Sequence, residues 1–368
     1  MKLLSNLQKK DLVGKKVLVR ADFNVPVRNG KVTEAMRIDE TLPTIKFLLK
    51  NDAQVILISH IGDDGSTSLR PVAKYLSTKK LSVKFVADFE VVAKAKEPVI
   101  LMENIRRFEG EKKNNSALAK QLASLADLYV NEAFSVSHRE HASVVGVPKL
   151  LPSFAGLRLA VELAELQKMF KPALPLALVI GGAKFKTKFP LLKKFLPKAE
   201  VVCVGGALGN TLIKALDHEV GTSLVDEISP EIKKLAKNKK IILPLDFVVT
   251  GRKKSEFLVK KVGEILVTDK IVDLGPLTSK LFKEKISGAK TLLWNGPLGL
   301  IEDGFVHATI SLASYLPKGS FSVLGGGDSV EALRQAKLLK KLSFVSTGGG
   351  AMLEYLATGK LPGIKSLQ

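Results

Sequence analysis

Short apolar runs alternate with amphipathic segments along the whole chain. In the first half, these runs predict strands at residues 17–23, 55–59, 83–87, 99–102 and 127–130. The segments between them space their apolar side chains as a helix does, for example at Leu118, Leu122 and Leu125. They predict helices at residues 38–50, 71–76 and 117–125. Strands that alternate with helices predict a parallel sheet covered by helices on both faces.

The second half repeats this rhythm, with strands predicted at residues 176–180, 201–204, 241–243, 292–294, 321–324 and 344–346. Residues 154–170 separate the halves and predict one long helix with an apolar face of Leu159, Leu163, Leu166 and Met169. At 368 residues the chain is long enough for two hydrophobic cores. We therefore predict two Rossmann-like α/β domains, over residues 1–155 and 172–350, joined by a helix over residues 156–171.

The chain is strongly basic, with 57 Lys and Arg residues against 36 Asp and Glu and a formal net charge of +21. Such a charge attracts polyanions, which include nucleic acid, anionic lipid and phosphorylated metabolites. Much of the excess is Lys in short groups such as Lys112-Lys113, and scattered groups of this kind are also typical of an ordinary solvated surface. Charge alone therefore does not identify a partner.

Cysteine content and apolar segments narrow the class of protein. The single cysteine, Cys203, lies within an apolar run, which excludes a disulfide framework and a cysteine metal cluster. Residues 1–16 lack the apolar core of a signal peptide, and no apolar stretch approaches the roughly 20 residues that span a membrane. We expect a cytoplasmic protein with no membrane partner.

Glycine turns follow the predicted strands of the second half. The nucleotide fingerprints G-x-x-x-x-G-K-[ST] and G-x-G-x-x-G after a strand are both absent. Instead, glycines cluster at residues 181–182, 205–206, 325–327 and 348–350. Such turns expose backbone N–H groups at the start of helices, where phosphates bind. One glycine turn can serve a tight corner alone, but several at strand ends indicate a ligand crevice.

Polar and basic residues gather at the strand ends of the first half. They are Asp22-Phe23-Asn24, Arg37, His60, Arg106-Arg107 and His138-Arg139-Glu140-His141. Guanidinium groups hold carboxylates and phosphates through bidentate forks, so several of them would suit a small acid with several negative charges. A lone arginine more often forms a surface salt bridge. His138 and His141 are spaced like a metal pair, but no third ligand stands at a suitable spacing, so we predict no zinc site.

The ordered motifs of the chain resemble those of the phosphoglycerate kinase family along nearly its whole length. In the first half they are Val19–Pro26, Arg37-Ile38, Ser59–Gly62, Glu103–Arg106, Ala133-Phe134 and His138–Ser143. In the second half they are Gly181–Lys184 with Lys188, Asp273–Pro276, Trp294–Gly299, Gly325–Ser329 and Ser346–Ala351. Both the order and the spacing of these motifs agree with the family.

The resemblance implies which residues bind the substrates. On the N-terminal domain, 3-phosphoglycerate or 1,3-bisphosphoglycerate would contact Asp22, Phe23, Asn24, Arg37, His60, Arg106 and Arg139. On the C-terminal domain, ADP or ATP would contact Lys188, Gly206, Gly275, Asn295, Glu302, Gly326, Gly327, Asp328 and Ser329. Asp328 would also stand near Mg²⁺ bound to the nucleotide phosphates. The C-terminal segment, residues 351–368, would return to the N-terminal domain.

The implied activity is the reversible transfer of a phosphoryl group from 1,3-bisphosphoglycerate to ADP, in glycolysis and gluconeogenesis. The attacking ADP oxygen and the leaving carboxylate are both ionised near neutral pH, so positioning and electrostatics suffice without a general base. Arg37, Lys184 and the backbone N–H groups of Gly349 and Gly350 would stabilise the transferring group, together with Mg²⁺. A monomer that closes about a hinge over residues 156–171 would exclude water.

One departure from the family pattern affects the acid site. Asp63 stands where the family has an arginine that holds the acid, and a second acid, Asp64, follows it. A lost charge-assisted hydrogen bond costs roughly 1.5–3 kcal/mol, so weaker acid binding is expected unless the neighbouring Arg107 compensates.

Smaller departures lie elsewhere. Glu132 replaces an aspartate, and Lys186-Thr187 replaces Ser-Asp in the loop of Lys184. Ala207 replaces a third glycine and would crowd the nucleotide unless Gly209 restores room.

A second hypothesis is a catalytically impaired, kinase-like protein whose basic surface binds polyanions. The joint presence of Arg37, Lys184, Lys188, Asp328 and Gly348–Gly350 favours catalysis, since a binding module has no need for all of them. Aromatic residues make up only 6% of the chain and form no recognisable base-stacking motif, so nucleic-acid binding is expected to be nonspecific at most.

Overall fold

The computed structural model describes residues 1–251 and 256–367. Residues 252–255 of the predicted C-terminal domain and residue 368 of the predicted C-terminal segment lie outside the described residues. The chain forms two compact units. Of the described residues, the first unit comprises Met1–Glu165 together with residues 358–367, and the second comprises those within Leu166–Ala357.

A six-stranded parallel sheet forms the centre of the first unit. Its strands are β1 (Lys16–Arg20), β4 (Gln54–Ile58), β5 (Val83–Val86), β6 (Val99–Met102), β7 (Leu128–Asn131) and β8 (Ser153–Ala155), and a hairpin is made by β2 (Val27–Arg28) and β3 (Lys31–Val32). The strand order is β5-β6-β4-β1-β7-β8, and every neighbouring pair is parallel. The chain builds outward from both sides of β1, so a ligand crevice is expected at the carboxyl end of β1.

Helices connect these strands, namely α1 (Lys9–Leu12), α2 (Met36–Lys50), α3 (Arg70–Thr78), α4 (Phe89–Lys94), α5 (Ser116–Ala123), α6 (Leu157–Gln167) and, near the C-terminus, α14 (Pro362–Lys365). Side-chain caps explain where some of them begin. Asn115, for example, accepts hydrogen bonds from the backbone N–H groups of Ala117 and Leu118, which would otherwise lack partners at the start of α5.

The second unit contains another six-stranded parallel sheet, made by β9 (Leu176–Ile180), β10 (Val201–Val204), β11 (Ile241–Ile242), β15 (Thr291–Asn295), β16 (Phe321–Gly325) and β17 (Phe344–Val345) in the order β11-β10-β9-β15-β16-β17. A smaller antiparallel sheet has the order β13-β12-β14, from β12 (Asp246–Thr250), β13 (Phe257–Lys261) and β14 (Lys270–Leu274). The helices are α7 (Phe185–Phe195), α8 (Gly206–Lys214), α9 (Pro230–Ala236), α10 (Pro276–Ile286), α11 (His307–Ser314), α12 (Gly327–Gln335) and α13 (Gly349–Thr358).

Burial on both faces explains why the parallel strands have continuous apolar sequences. Every residue of β9, β10 and β15 is buried. Trp294 of β15 is completely buried and belongs to the same core as Phe247 and Phe282. The predicted class of two parallel α/β units is therefore confirmed. None of the helices within residues 1–251 and 256–367 is long and apolar enough to cross a membrane.

The prediction of one helix over residues 154–170 is wrong at its start. Ser153–Ala155 form β8, in which Phe154 lies opposite Val130 of β7. The helix itself is α6, and a 3-10 turn over Lys168–Phe170 follows it. The apolar spacing that predicts a helix also fits Phe154, and only pairing with a distant strand decides its conformation. The boundary between the two units lies at Glu165/Leu166, near the end of α6.

Candidate active site

The loops after β1 and β4 meet at the carboxyl edge of the first sheet. Arg37, in the first turn of α2, places its Nη1 3.2 Å from Oδ1 of the buried Asp22. Oδ1 of Asn24 accepts a 3.0 Å hydrogen bond from the backbone N–H of Gly62. The Phe23 side chain is buried, and its backbone N–H donates to a serine that follows β4. These contacts bring together four of the predicted acid-site residues.

His60, which follows β4, is held by a residue that the sequence analysis did not assign to the site. Arg20 ends β1, is completely buried, and donates from Nε to the Ser143 hydroxyl at 2.9 Å. Its Nη2 lies 3.2 Å from Nδ1 of His60. Arginine has no acceptor, so Nδ1 of His60 must accept this bond, which leaves the hydrogen of the neutral ring on Nε2. Burial first, and then the charge of Arg20, lower the pKa of His60 well below its usual range.

Arg106 follows β6 and contacts the loop after β4. Its Nη1 donates to the backbone oxygen of Gly62 at 2.7 Å and lies 2.8 Å from Oδ1 of Asp63. The Arg106 side chain is only 8% exposed, whereas the Asp63 side chain is fully exposed. The acid that departs from the family pattern is therefore an ion-pair partner of a predicted substrate-binding arginine.

Arg107 forms hydrogen bonds to the same loop, the one after β4. Its Nε donates to the backbone oxygen of Gly65 at 3.0 Å, and its Nη2 donates to that of Ser66 at 2.9 Å. The remaining nitrogen, Nη1, lies 3.1 Å from the carboxylate of Glu103. All three nitrogens are engaged by the protein itself, so the expectation that Arg107 replaces a missing acid-binding cation is not supported.

Arg139 lies on an exposed turn with a histidine on either side. Burial first, and then Arg139, lower the pKa of His138 to about 4. Burial first, followed by the charges of Arg20, Arg106 and Arg139, lower the pKa of His141 to about 4. Arg20, Arg106 and Arg139 therefore all lie near enough to His141 for their charges to act on it. Both histidines are neutral near pH 7.

The C-terminal segment contacts the turn that carries Arg139. The backbone N–H of Gly363 in α14 donates to the oxygen of Ser137 at 2.8 Å. The hydroxyl of Ser366 donates to the oxygen of Val144 at 3.2 Å. A side chain at Gly363 would collide with both contacted stretches, since its Cβ would lie 2.7 Å from Val144 and 3.0 Å from Ser137.

Glycines form a continuous row along the carboxyl edge of the second sheet. A Cβ at Gly349 would lie 3.2 Å from Cα of Gly326, and a Cβ at Gly326 would lie 3.3 Å from the backbone nitrogen of Gly296. Gly296 in turn touches the backbone at 181–182, and a Cβ at Gly206 would lie 2.5 Å from the nitrogen of Gly182. Five strands thus end in turns where a side chain would crowd or collide with the neighbouring backbone, and helices α8, α12 and α13 begin there. This edge presents backbone N–H groups, as a phosphate site requires.

Two lysines lie at the start of α7, Lys184 directly before the helix and Lys188 in its first turn. Lys184 is exposed and has a left-handed conformation with φ of 65° at the start of the helix. Lys188 is buried, and its Nζ donates to the backbone oxygen of Ala183. Burial lowers the pKa of Lys188 to about 8, while the carboxylates of Asp226 and Asp328 act in the opposite direction.

Two buried polar atoms at this edge have no hydrogen-bond partner among the described residues. They are Nδ2 of Asn295, at the end of β15, and Oγ of Ser329, in the first turn of α12. Burying an unpaired polar group is costly, so each of these atoms calls for an explanation, and a ligand that bonds to it is one. Asn295 lies beside the glycine row, because a Cβ at Gly326 would be 3.7 Å from its Nδ2.

A cavity of about 220 Å³ opens next to this row, between α8, β14 and the segment after β15. Its lining includes Gly206, Ala207, Phe247, Leu298 and Glu302, so two predicted nucleotide residues lie on its wall. Most of the lining is apolar.

Gly275 is not among the lining residues, although the preceding Leu274 is. The Asp246 carboxylate occupies the space that a side chain at Gly275 would need. A Cβ at Gly209 would lie 3.3 Å from the oxygen of Val204 in β10. Gly209 therefore packs on the sheet, and the expectation that it restores room beside Ala207 is not supported.

The carboxylate of Asp328 suits a divalent cation. It is exposed in the first turn of α12, and its charge acts on Lys188. Mg²⁺ is usually held by one or two carboxylates together with substrate phosphates. Asp328 at the phosphate-binding edge fits that requirement.

Comparison with known proteins agrees with this arrangement. The sequence pattern of the family described as phosphoglycerate kinase matches residues 7–360. The phosphoglycerate kinase of Dictyoglomus turgidum is 41% identical over 393 aligned positions, covering 100% of this chain and 99% of the relative. That of Thermosipho africanus is 41% identical, covering 97% of this chain and 96% of the relative.

Solved structures agree as well. The phosphoglycerate kinase of Coxiella burnetii is 37% identical with a TM-score of 0.82, covering 99% of this chain and 97% of that one. The enzyme of Pyrococcus horikoshii OT3 is 27% identical with a TM-score of 0.88, covering 100% of this chain and 98% of that one. The chain belongs to the phosphoglycerate kinase family, whose members transfer a phosphoryl group reversibly between 1,3-bisphosphoglycerate and ADP.

Proposed function

We propose that the first unit binds the acid and the second unit binds the nucleotide, and that the phosphoryl group passes between them. The observation that carries this proposal is the chemical contrast between the carboxyl edges of the two parallel sheets. One edge presents guanidinium and imidazole groups. The other presents glycine turns at helix N-termini. The first suits a small acid with several negative charges, and the second suits a chain of phosphates.

On the acid side, Arg37, Arg106 and Arg139 hold the phosphate and carboxylate of 3-phosphoglycerate. Asp22 orients Arg37 through the 3.2 Å contact between them. His60 adds a neutral N–H donor, because Arg20 occupies its other ring nitrogen. Asn24 and Phe23 fix the loop after β1 against the loop after β4.

On the nucleotide side, the apolar cavity holds the base and Glu302 accepts hydrogen bonds from the ribose hydroxyls. The phosphates lie along the turns of Gly206, Gly326 and Gly327, where Asn295 and Ser329 offer the polar atoms that have no partner. Lys188 adds a positive charge, and Gly275 lets α10 begin close to the cavity wall.

Asp328 would hold Mg²⁺ with the nucleotide phosphates, and that ion would supply neutralising charge and orientation. Transfer breaks the bond between phosphorus and the acyl oxygen and forms one between phosphorus and the terminal oxygen of ADP. Neither oxygen needs a proton removed, so catalysis rests on position and charge. Arg37, Lys184 and the backbone N–H groups of Gly349 and Gly350 stabilise the charge on the transferring group.

The acid and nucleotide must meet for transfer, and α6 forms part of the hinge about which the units move. Water is then excluded from the acyl phosphate. We expect a monomeric cytoplasmic enzyme in which the +21 charge serves polyphosphate substrates, and in which nucleic-acid binding is nonspecific at most. Family membership favours this function over the impaired, polyanion-binding alternative.

Separate binding measurements test whether the first unit binds the acid and the second unit binds the nucleotide. Calorimetry would follow 3-phosphoglycerate and Mg-ADP with Arg139→Ala, Lys188→Met and the exposed hairpin control Arg28→Ala. We expect Arg139→Ala to weaken only acid binding and Lys188→Met only nucleotide binding, each by about tenfold or more. If each variant weakened both ligands equally, or neither ligand, the assignment of the two edges would be wrong.

A further inference from the structure

The loop after β4 places an acid directly on a substrate-binding arginine. Nη1 of Arg106 carries two hydrogens, and the structure uses both of them within the protein. One is donated to the backbone oxygen of Gly62 at 2.7 Å, and the other to Oδ1 of Asp63 at 2.8 Å. An anion that approaches Nη1 of Arg106 therefore finds no hydrogen available while Asp63 stays in place.

The two members of this ion pair differ in exposure. The Arg106 side chain is only 8% exposed, whereas that of Asp63 is fully exposed. The arginine is thus fixed by its surroundings, and the aspartate can rotate into water and recover full hydration. An exposed ion pair of this kind contributes little and breaks readily.

The surrounding charges explain why an acid is tolerated here. Arg106 acts electrostatically on both His60 and the buried Arg20, so the empty site concentrates positive charge. Asp63 offsets part of that charge when no substrate is bound. It would repel the negative groups of a bound acid if it remained at the same place.

We propose that Asp63 is an internal competitor that occupies Nη1 of Arg106 in the substrate-free protein and must be displaced before the acidic substrate can bind that nitrogen. Asp63 is therefore an affinity-setting residue for the acid, which binds more weakly than the same site would bind it without this carboxylate. The inference rests on the proposed function, because it requires that Arg106 binds the acid.

The chain offers a matched control in the next residue. Asp64 carries the same charge on the same loop, but its carboxylate accepts from the backbone N–H and hydroxyl of Ser66 at 3.0 and 2.8 Å. Asp64→Asn removes the same charge and keeps an oxygen that can accept these bonds. It reports the general electrostatic effect of a lost acid at this loop.

The test is calorimetric titration of the full, nucleotide-free chain with 3-phosphoglycerate. We expect Asp63→Asn to lower the Kd by about three- to fivefold, and Asp64→Asn to change it by less than about twofold. Equal effects of the two variants would overturn the proposal, since the carboxylate would then act only as a distant charge. An unchanged Kd in Asp63→Asn would overturn it as well.

A double-mutant cycle with Arg106→Gln separates this inference from the proposed function. If Asp63 acts through Arg106, Asp63→Asn has less than about a twofold effect in the Arg106→Gln background. A full effect in that background would refute the competition. If Arg106→Gln binds the acid as tightly as the starting protein, the assignment of Arg106 to the acid site fails, and this inference fails with it. Thermal unfolding of each variant without ligand confirms that the titrated protein is folded.

Discussion

The activity should fall between pH 7 and 9 because of Lys188. Burial lowers the pKa of this lysine to about 8, from an ordinary value of 10.5. With that pKa, about nine-tenths of the side chains are charged at pH 7 and about one-tenth at pH 9. Loss of the proton removes a positive charge from the phosphate-binding edge, so nucleotide binding weakens as pH rises. We expect kcat/KM for the nucleotide to drop about tenfold over this range, since this parameter reports groups of the free enzyme.

Variants assign that drop to a single side chain. Lys188→Arg stays charged throughout, so its profile should be flat even if its absolute activity is lower. Lys186→Arg changes an exposed lysine on the same helix and should keep the drop of the starting protein. A flat profile in the starting protein, or an unchanged drop in Lys188→Arg, would refute the reasoning.

Three further predictions follow from glycine packing, a buried carboxylate and the acid site. Gly206→Ala forces a side chain onto φ of +56° and to 2.5 Å from a backbone nitrogen, so steady-state kinetics should show the nucleotide KM raised about tenfold or more. Gly288→Ala, which faces open space, should leave it unchanged. Burial raises the pKa of Glu132 to about 7, above its unfolded value of 4.5, so its contribution to stability is lost as pH rises through this window. Urea unfolding at about pH 5 and about pH 8 should show that Glu132→Gln removes about 2.5 kcal/mol of this dependence, and an unchanged dependence would contradict the assignment. His60→Asn keeps an acceptor for Arg20 but loses the distal donor, so the acid KM should rise about tenfold while the nucleotide KM stays constant in the same assay.

Much of the fold could be predicted because buried parallel strands leave a simple signal. The runs at 99–102, 176–180 and 201–204 begin and end where β6, β9 and β10 do. The antiparallel sheet was not predicted, because its edge strand β13 exposes Phe257, Leu258 and Val259 and so lacks an alternation of buried and exposed positions. The prediction of a helix at Phe154 is wrong because the spacing of apolar residues along the chain carries no information about the pairing of Phe154 with β7.

The part of the candidate site that could be predicted is the set of residues that follow the ends of parallel strands. Asp22, His60 and Arg106 each follow a strand of one parallel sheet, so their approach follows from the fold class. The role of Arg20 depends on Ser143, which lies 123 residues away in sequence, and no local pattern predicts that contact. The sequence does offer one sign of Arg20, because this charged residue directly follows the apolar run at residues 17–19. The pairing of Asp63 with Arg106 likewise depends on the conformation of a loop.

The most direct test of the account is turnover with 3-phosphoglycerate and Mg-ATP, with the product coupled to a dehydrogenase and the loss of NADH followed. The starting protein and the exposed control Lys186→Ala should turn over, whereas Arg37→Ala and Lys184→Ala should lose at least about a hundredfold in kcat. Absence of turnover in the folded starting protein, or undiminished rates in both catalytic variants, would contradict the claim that these two side chains carry phosphoryl transfer.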